Sequence, residues 1–197
     1  DALVIACNTA TSVAIKHLRE VFPSLIIIGT EPGIKPAINN TKTRNIGILA
    51  TASTLKGEKY QLLANELTTK SEVKLYEQAC IGLVEQIENG EINSLKTYSM
   101  LETWLKPMLH NKVDTIVLGC THYPLVKKTI LDIVGEDVLL IDTGDAIAKR
   151  VVTLSQDLQN NNKDELNIEI LYTGKINSDM VKIILGKNKF EMRKCEL

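Results

Sequence analysis

The stretch Val113-Asp114-Thr115-Ile116-Val117-Leu118-Gly119-Cys120-Thr121-His122-Tyr123-Pro124-Leu125 decides the fold, because its pattern also opens the chain as Asp1-Ala2-Leu3-Val4-Ile5-Ala6-Cys7-Asn8-Thr9. In both copies an Asp leads an apolar run, a small residue follows, then a cysteine, then a short hydroxyl or amide residue. Runs rich in Val, Ile and Leu suit strands buried on both faces of a parallel sheet. Each run is therefore expected to be such a strand, ending at its cysteine. Beyond Cys7, the capping types Asn8, Thr9, Thr11 and Ser12 precede a helical pattern over residues 13–18, and beyond Cys120, Pro124 suits a first helical turn. Both thiols are thus expected at the carboxyl end of a strand, beside a helix N-terminus. Unpaired N–H groups and the helix dipole there would hold a thiol below its ordinary pKa of about 8.5. Open α/β sheets place their ligands at the same end.

A single cysteine at the end of a buried strand is more often a small core residue than a nucleophile. Two in matching contexts, each trailed by polar residues able to grip a substrate, reverse that reading. The sequence has no Cys-x-x-Cys, and Cys120 with His122 supplies two zinc ligands at most, so a structural metal site is not expected. Spacing alone leaves a Cys7–Cys120 disulfide open, but singly scattered cysteines point to a reducing compartment.

Three segments carry a resemblance to a known family: Ala6-Cys7-Asn8-Thr9-Ala10, Gly29-Thr30-Glu31-Pro32-Gly33-Ile34-Lys35-Pro36-Ala37 and Gly119-Cys120-Thr121-His122-Tyr123-Pro124-Leu125. Together they resemble the signature segments of bacterial glutamate racemase, a cofactor-independent member of the aspartate/glutamate racemase superfamily, and the likeness runs along essentially the whole chain. Family members carry an Asp-Ser pair and a Pro-Tyr-Gly segment before the first cysteine. Neither stands before Cys7, and the chain starts at Asp1 without Met, so it is expected to be a fragment lacking its amino-terminal part.

Composition sets broad limits. The 197 residues suffice for one ample domain or two small ones. With Lys+Arg 23 against Asp+Glu 24, a formal charge of -1 gives no electrostatic reason to expect nucleic acid or a membrane surface as partner. The apolar runs are strand-sized, far short of the roughly 20 residues of a membrane span.

Strand and helix signals alternate throughout. Strands are expected at residues 25–28, 45–50, 72–76, 138–141 and 168–173, with a last one near 190–192. Helices are expected at residues 34–39, 55–67, 80–88, 93–110 (kinked or broken by Pro107), 125–134, 146–158 and 178–185, with Gln159 to Asp164 as a polar connection. This predicts a layered α/β architecture, two similar lobes with mostly parallel sheets and a cleft between them. The resemblance implies that residues 1–33 and 143–197 form one lobe and residues 34–142 the other.

Inverting an amino acid at its α-carbon requires one acid/base group on each face. Thiol and thiolate suit the task, since one proton separates them. Cys7 is expected to serve one enantiomer and Cys120 the other, with His122 assisting Cys120. The resemblance implies substrate contacts from Asn8, Thr9, Thr121 and His122. It also draws toward the substrate Thr51 and Thr54, which spacing alone reads as a helix cap, and Glu88, which spacing alone reads as a solvated helix residue. Cys80 is expected in the core, and His17 and His110 are read as surface or packing residues. No nucleotide loop or pyridoxal lysine motif is present, in keeping with cofactor-free catalysis. The implied substrate is glutamate and the implied role is D-glutamate supply for peptidoglycan in the cytoplasm, with a homodimer left open. An aspartate-type racemase is the enzymatic alternative, although Thr121-His122 favours glutamate. A two-lobed amino-acid-binding fragment without catalysis is the alternative from another class.

Overall fold

The computed structural model describes residues 1–156 and 166–196. Among them the order is β1 (Ala2–Ile5), α1 (Asn8–Val21), β2 (Ile26–Gly29), α2 (Ile34–Asn40), β3 (Asn45–Ala50), α3 (Ala52–Lys56), α4 (Glu58–Ser71), β4 (Lys74–Ala79), α5 (Leu83–Glu88), α6 (Leu95–His110), β5 (Thr115–Leu118), a 3-10 turn (Tyr123–Val126), α7 (Lys127–Val134), β6 (Leu139–Ile141), α8 (Gly144–Leu154), β7 (Glu169–Tyr172), α9 (Ser178–Leu185) and β8 (Glu191–Lys194). The expected link Gln159–Asp164 and the end of the helix expected to reach Leu158 lie outside the described residues.

Every strand pair among the described residues is parallel. The strands form a four-stranded sheet of order β4-β3-β5-β6 and two two-stranded sheets, β1-β2 and β7-β8. Alternation along the central strands explains why the large sheet is covered on both faces. Ile46, Ile48, Ala50 and Val117 pack with Ile34 and Ala37 of α2 and Tyr60 and Ala64 of α4. Leu49, Ile116 and Leu118 face the other way, toward Leu83 and Ile87 of α5, Leu101, Leu105 and Met108 of α6, and Ile130 of α7. Met180 of α9 reaches into this second cluster and docks the C-terminal unit on it. Each buried Leu or Ile contributes about 1.5–3 kcal/mol, so these two layers hold the sheet.

The structure corrects several expectations. β5 is buried along its length, but β1 is not: Leu3 and Val4 are 37% and 38% exposed, because β1 pairs only with β2 and leaves its other edge open. The single helix expected at 55–67 is two helices, α3 and α4, parted at Gly57 in extended backbone. The strand expected from Glu72 begins at Lys74, since Glu72 takes the left-handed conformation (φ 52°) that ends α4. Pro107 lies inside α6 without ending it. It forgoes one helical N–H bond close to the C-terminal end, where only three residues follow, and the helix runs on to His110. Leu95, the first residue of α6, is 90% exposed although it is apolar.

The Asp that leads the central copy is structural. Asp114 accepts from the Thr41 hydroxyl at 2.6 Å, from the backbone N–H of Lys42 at 2.7 Å and Thr43 at 2.8 Å, and from the Thr115 hydroxyl at 3.1 Å. It thereby fixes the loop that feeds β3 against the start of β5.

Candidate active site

The order β4-β3-β5-β6 reverses direction between β3 and β5. At such a switch point the connections leave to opposite sides, opening a crevice at the carboxyl ends of the two strands. Thr51 and Thr54 follow β3 there, and Cys120, Thr121 and His122 follow β5. The two strand ends are clamped together: Gly119 N–H donates to Leu49 O at 2.7 Å, and a Cβ on Gly119 would lie 2.8 Å from that same oxygen. Only glycine permits this approach next to Cys120.

The opening copy arrives at the same place. Cys7 itself is the N-cap of α1, its sulfur accepting from Ala10 N–H at 3.5 Å, in place of the hydroxyl residues expected to cap the helix. Thr11 is instead buried, donating to Ile5 O at 3.1 Å and accepting from Thr30 N–H at 3.1 Å, which ties the end of β1 to the loop after β2. From the first turn of α1, Asn8 Nδ2 donates to Gly119 O at 2.9 Å. The residue after one cysteine is thus bonded to the residue before the other. Beside it, Thr9 Oγ1 lies 3.3 Å from Thr51 Oγ1 and 3.1 Å from Thr54 Oγ1, and Thr51 donates to Thr54 at 2.9 Å. Thr51 also caps α3 through Thr54 N–H at 3.1 Å, so its hydroxyl serves the helix and the cluster together.

On the other side, Cys120 Sγ is 3.7 Å from His122 Nδ1, and His122 Nε2 is 3.0 Å from Glu88 Oε1 at the end of α5. An ionised carboxylate only accepts, so Glu88 sets the proton on Nε2 and leaves Nδ1 of a neutral ring free to accept from the Cys120 thiol. The structure therefore brings together all the residues singled out: Cys7, Asn8 and Thr9 from α1, Thr51 and Thr54 from β3–α3, Glu88 from α5, and Cys120, Thr121 and His122 beyond β5.

One electrostatic expectation is reversed. Burial raises the Cys120 thiol above its ordinary range; the His122 backbone N–H and the Thr121 hydroxyl oppose this, while the charges of Cys7 and Glu88 reinforce it. The short 3-10 turn that follows Cys120 provides no α-helix N-terminus to offset burial. The four cysteines are free, Cys80 is buried as expected, and the described residues hold no cluster of three or more metal-binding side chains. No helix among them is long and apolar enough to cross a membrane.

Among the described residues, the buried Asn8 Oδ1 has no hydrogen-bond partner, while the buried Tyr123 hydroxyl has the Cys80 thiol beside it. Leaving such a group unpaired costs about 1–3 kcal/mol. Asn8 Oδ1 is thus an acceptor kept ready for a donor at the crevice. Sequence reasoning passed over Tyr123 and the Gly119 carbonyl; the small residue before each cysteine was the available signal for the latter. A cavity of about 570 Å³ lies on the far side of the His122–Glu88 pair, toward Tyr172 and α9, and neither Cys7 nor Cys120 lines it.

Residues 1–151 match the model of the Asp/Glu/Hydantoin racemase family. The chain is similar to the glutamate racemase of Aliarcobacter butzleri (strain RM4018), with 64% identity over 197 residues, 100% of this chain and 76% of that relative. It superimposes on the crystal structure of glutamate racemase isoform RacE1 from Bacillus anthracis with a TM-score of 0.81 and 30% identity, over 100% of this chain and 74% of that one. For the Escherichia coli glutamate racemase in complex with L-glutamate and the activator UDP-MurNAc-ala, the TM-score is 0.77 and the identity 30%, over 97% of this chain and 72% of that one.

Proposed function

Since the chain belongs to the Asp/Glu/Hydantoin racemase family, among its glutamate racemases, we propose that it interconverts L- and D-glutamate through two thiols acting from opposite faces of the α-carbon. The observation that carries this reading is the 2.9 Å bond from Asn8 to Gly119 O, which draws the segments bearing Cys7 and Cys120 to one switch point.

In one direction the thiolate of one cysteine takes the α-proton, breaking the C–H bond and forming S–H. The electron pair left on carbon then takes a proton from the thiol of the other cysteine, on the opposite face. The two sulfurs end with their protonation states exchanged, and proton exchange with solvent restores them. Cys7 serves one enantiomer as base and Cys120 the other. His122, 3.7 Å from Cys120 Sγ and oriented by Glu88, takes or returns the Cys120 proton, which supports a thiol that burial keeps protonated. Asn8 Oδ1 accepts from the substrate ammonium. The hydroxyls of Thr9, Thr51, Thr54 and Thr121 donate to its carboxylates, exchanging bonds within the cluster for bonds to substrate.

We assign residues 1–33 and 143–197 to one lobe and 34–142 to the other. Each sheet falls within one of these spans, and the two crossings touch, a Cβ on Gly33 lying 2.8 Å from Ile141 Cγ2. The biological role proposed is D-glutamate supply for peptidoglycan in the cytoplasm, with a homodimer as the assembly to be tested by light scattering. Incubation with L-glutamate in deuterated water tests the reading. D-Glutamate carrying α-deuterium is expected, with little turnover of aspartate. Binding without α-hydrogen exchange would leave an amino-acid-binding module, and preferential turnover of aspartate would make it an aspartate-type racemase.

A further inference from the structure

Cys7 is exposed, and its sulfur accepts from Ala10 N–H across 3.5 Å, so the aim of the thiol depends on the backbone that carries it. Thr11 grips that backbone on both sides of Ala6. Its N–H donates to Cys7 O at 2.8 Å, and its hydroxyl donates to Ile5 O at 3.1 Å. A threonine within a helix ordinarily returns its hydroxyl to the carbonyl four residues back. Here the hydroxyl reaches six residues back, out of α1 and onto the end of β1. The same oxygen accepts from Thr30 N–H at 3.1 Å, with the Thr30 hydroxyl 3.4 Å away, in the loop that leads from β2 to the crossing at Gly33. Thr11 and Thr30 are 1% and 2% exposed, so these bonds are closed to water. The Thr11 methyl group is wedged against Gly29, where even an added Cβ would collide with it. A packed methyl and a hydroxyl bonded on two sides hold the side chain in one orientation. Valine fills the same space but offers neither hydroxyl bond.

We propose that Thr11 is a positioning residue for Cys7: its hydroxyl fixes the angle at which β1 passes into α1, and with it the line from the Cys7 sulfur to the substrate α-carbon. This rests on the two-thiol reading. In Thr11→Val, Ile5 O and Thr30 N–H lose the hydroxyl between them and the Ala6–Cys7 step relaxes. Proton transfer at Cys7 then slows, while transfer at Cys120 is unchanged.

The test measures racemisation of glutamate, unlabelled and deuterated at the α-carbon, from each enantiomer in turn, by the parent chain, Thr11→Val and Thr11→Ser. Slower transfer at Cys7 makes that step more nearly rate-limiting. In Thr11→Val the isotope effect on kcat/KM should therefore rise for the enantiomer that Cys7 deprotonates and fall for the one that Cys120 deprotonates. The value of kcat/KM should drop about tenfold, inside the roughly 100-fold loss for a shift of about 1 Å. Thr11→Ser keeps the hydroxyl and should retain the parent isotope effects. Parent-like isotope effects in Thr11→Val overturn the proposal, as does an equal change from both enantiomers, which a general loosening of the fold would give. If Thr11→Val does not fold, Thr11→Ala, which leaves room for a water between the two backbone groups, is judged by the same criteria. Failure of both to fold makes Thr11 merely structural and overturns the proposal. Deuterium retained in the parent's product would mean a single base returning what it took, which sinks the two-thiol reading itself. Deuterium exchanged, with unchanged isotope effects in Thr11→Val, sinks the role of Thr11 alone.

Discussion

Gly119→Ala is the perturbation whose consequence follows most directly from the geometry. The new methyl group would lie 2.8 Å from Leu49 O and 3.0 Å from Ala50 Cβ, both belonging to a strand that cannot swing away as a flexible side chain could. The end of β5 must therefore separate from β3, losing the 2.7 Å bond from Gly119 N–H to Leu49 O. Overpacking of this kind costs about 1–3 kcal/mol and the lost bond about 0.5–1.5 kcal/mol, so a destabilisation of about 2–4 kcal/mol is expected. For a chain of this size that corresponds to a fall in Tm of roughly 5–15 °C. Displacing Cys120 also misaligns it with the α-carbon, and turnover should fall by up to about 100-fold, the loss expected for a shift of about 1 Å. Calorimetry and a coupled assay for D-glutamate read the two effects. A variant with parent Tm and parent turnover would refute the argument, because it would mean that the clamp between β3 and β5 neither packs as described nor positions Cys120.

Other outcomes follow from the same structure. At Asp114, burial favours the neutral acid, but hydrogen bonds from Thr41, Thr43, Lys42 and Thr115 outweigh it and hold the carboxyl below its usual range. A depressed folded-state pKa gives stability that is present above the unfolded value of about 3.9 and is lost as pH falls through the folded value. Asp114→Asn should therefore cost about 1 kcal/mol near neutral pH, after allowance for solvent screening, and the difference from parent should vanish in acid; urea titrations at several pH values check this. Glu88→Gln removes the charge that orients His122, and kcat should drop about tenfold with Tm unchanged, since the Glu88 carboxylate is 63% exposed. Cys7 is exposed, whereas Cys120 is half-buried with its thiol raised, so iodoacetamide near pH 8 should label Cys7 first, as read by peptide mapping.

What could be read from the sequence follows from what is local. The run before Cys120 announces β5, and its neighbours on both faces make that strand as buried as its composition suggests. The equally apolar run before Cys7 misleads, because burial depends on neighbouring strands and β1 has one. Gly57 splits a continuous helical pattern because backbone conformation at one residue outweighs periodicity around it. Glu88 and His122 stand 34 positions apart and Asn8 and Gly119 stand 111 apart, so no spacing rule connects them. Glu88 was legible only through resemblance, and the Asn8 bridge not at all. The direction of the Cys120 shift is not legible for the same reason: a strand-to-helix turn suggests stabilising N–H groups, while the burial that outweighs them comes from the apolar cluster against which Cys120 packs.

The two-thiol proposal meets its most direct test in chiral chromatography of glutamate incubated with Cys7→Ser and with Cys120→Ser, each starting separately from the L and the D form. Every turnover uses one sulfur to remove a proton and the other to return one, so both variants should fail from both starting enantiomers while keeping the parent fold by circular dichroism. Sustained conversion at the parent rate by either folded variant would contradict the mechanism.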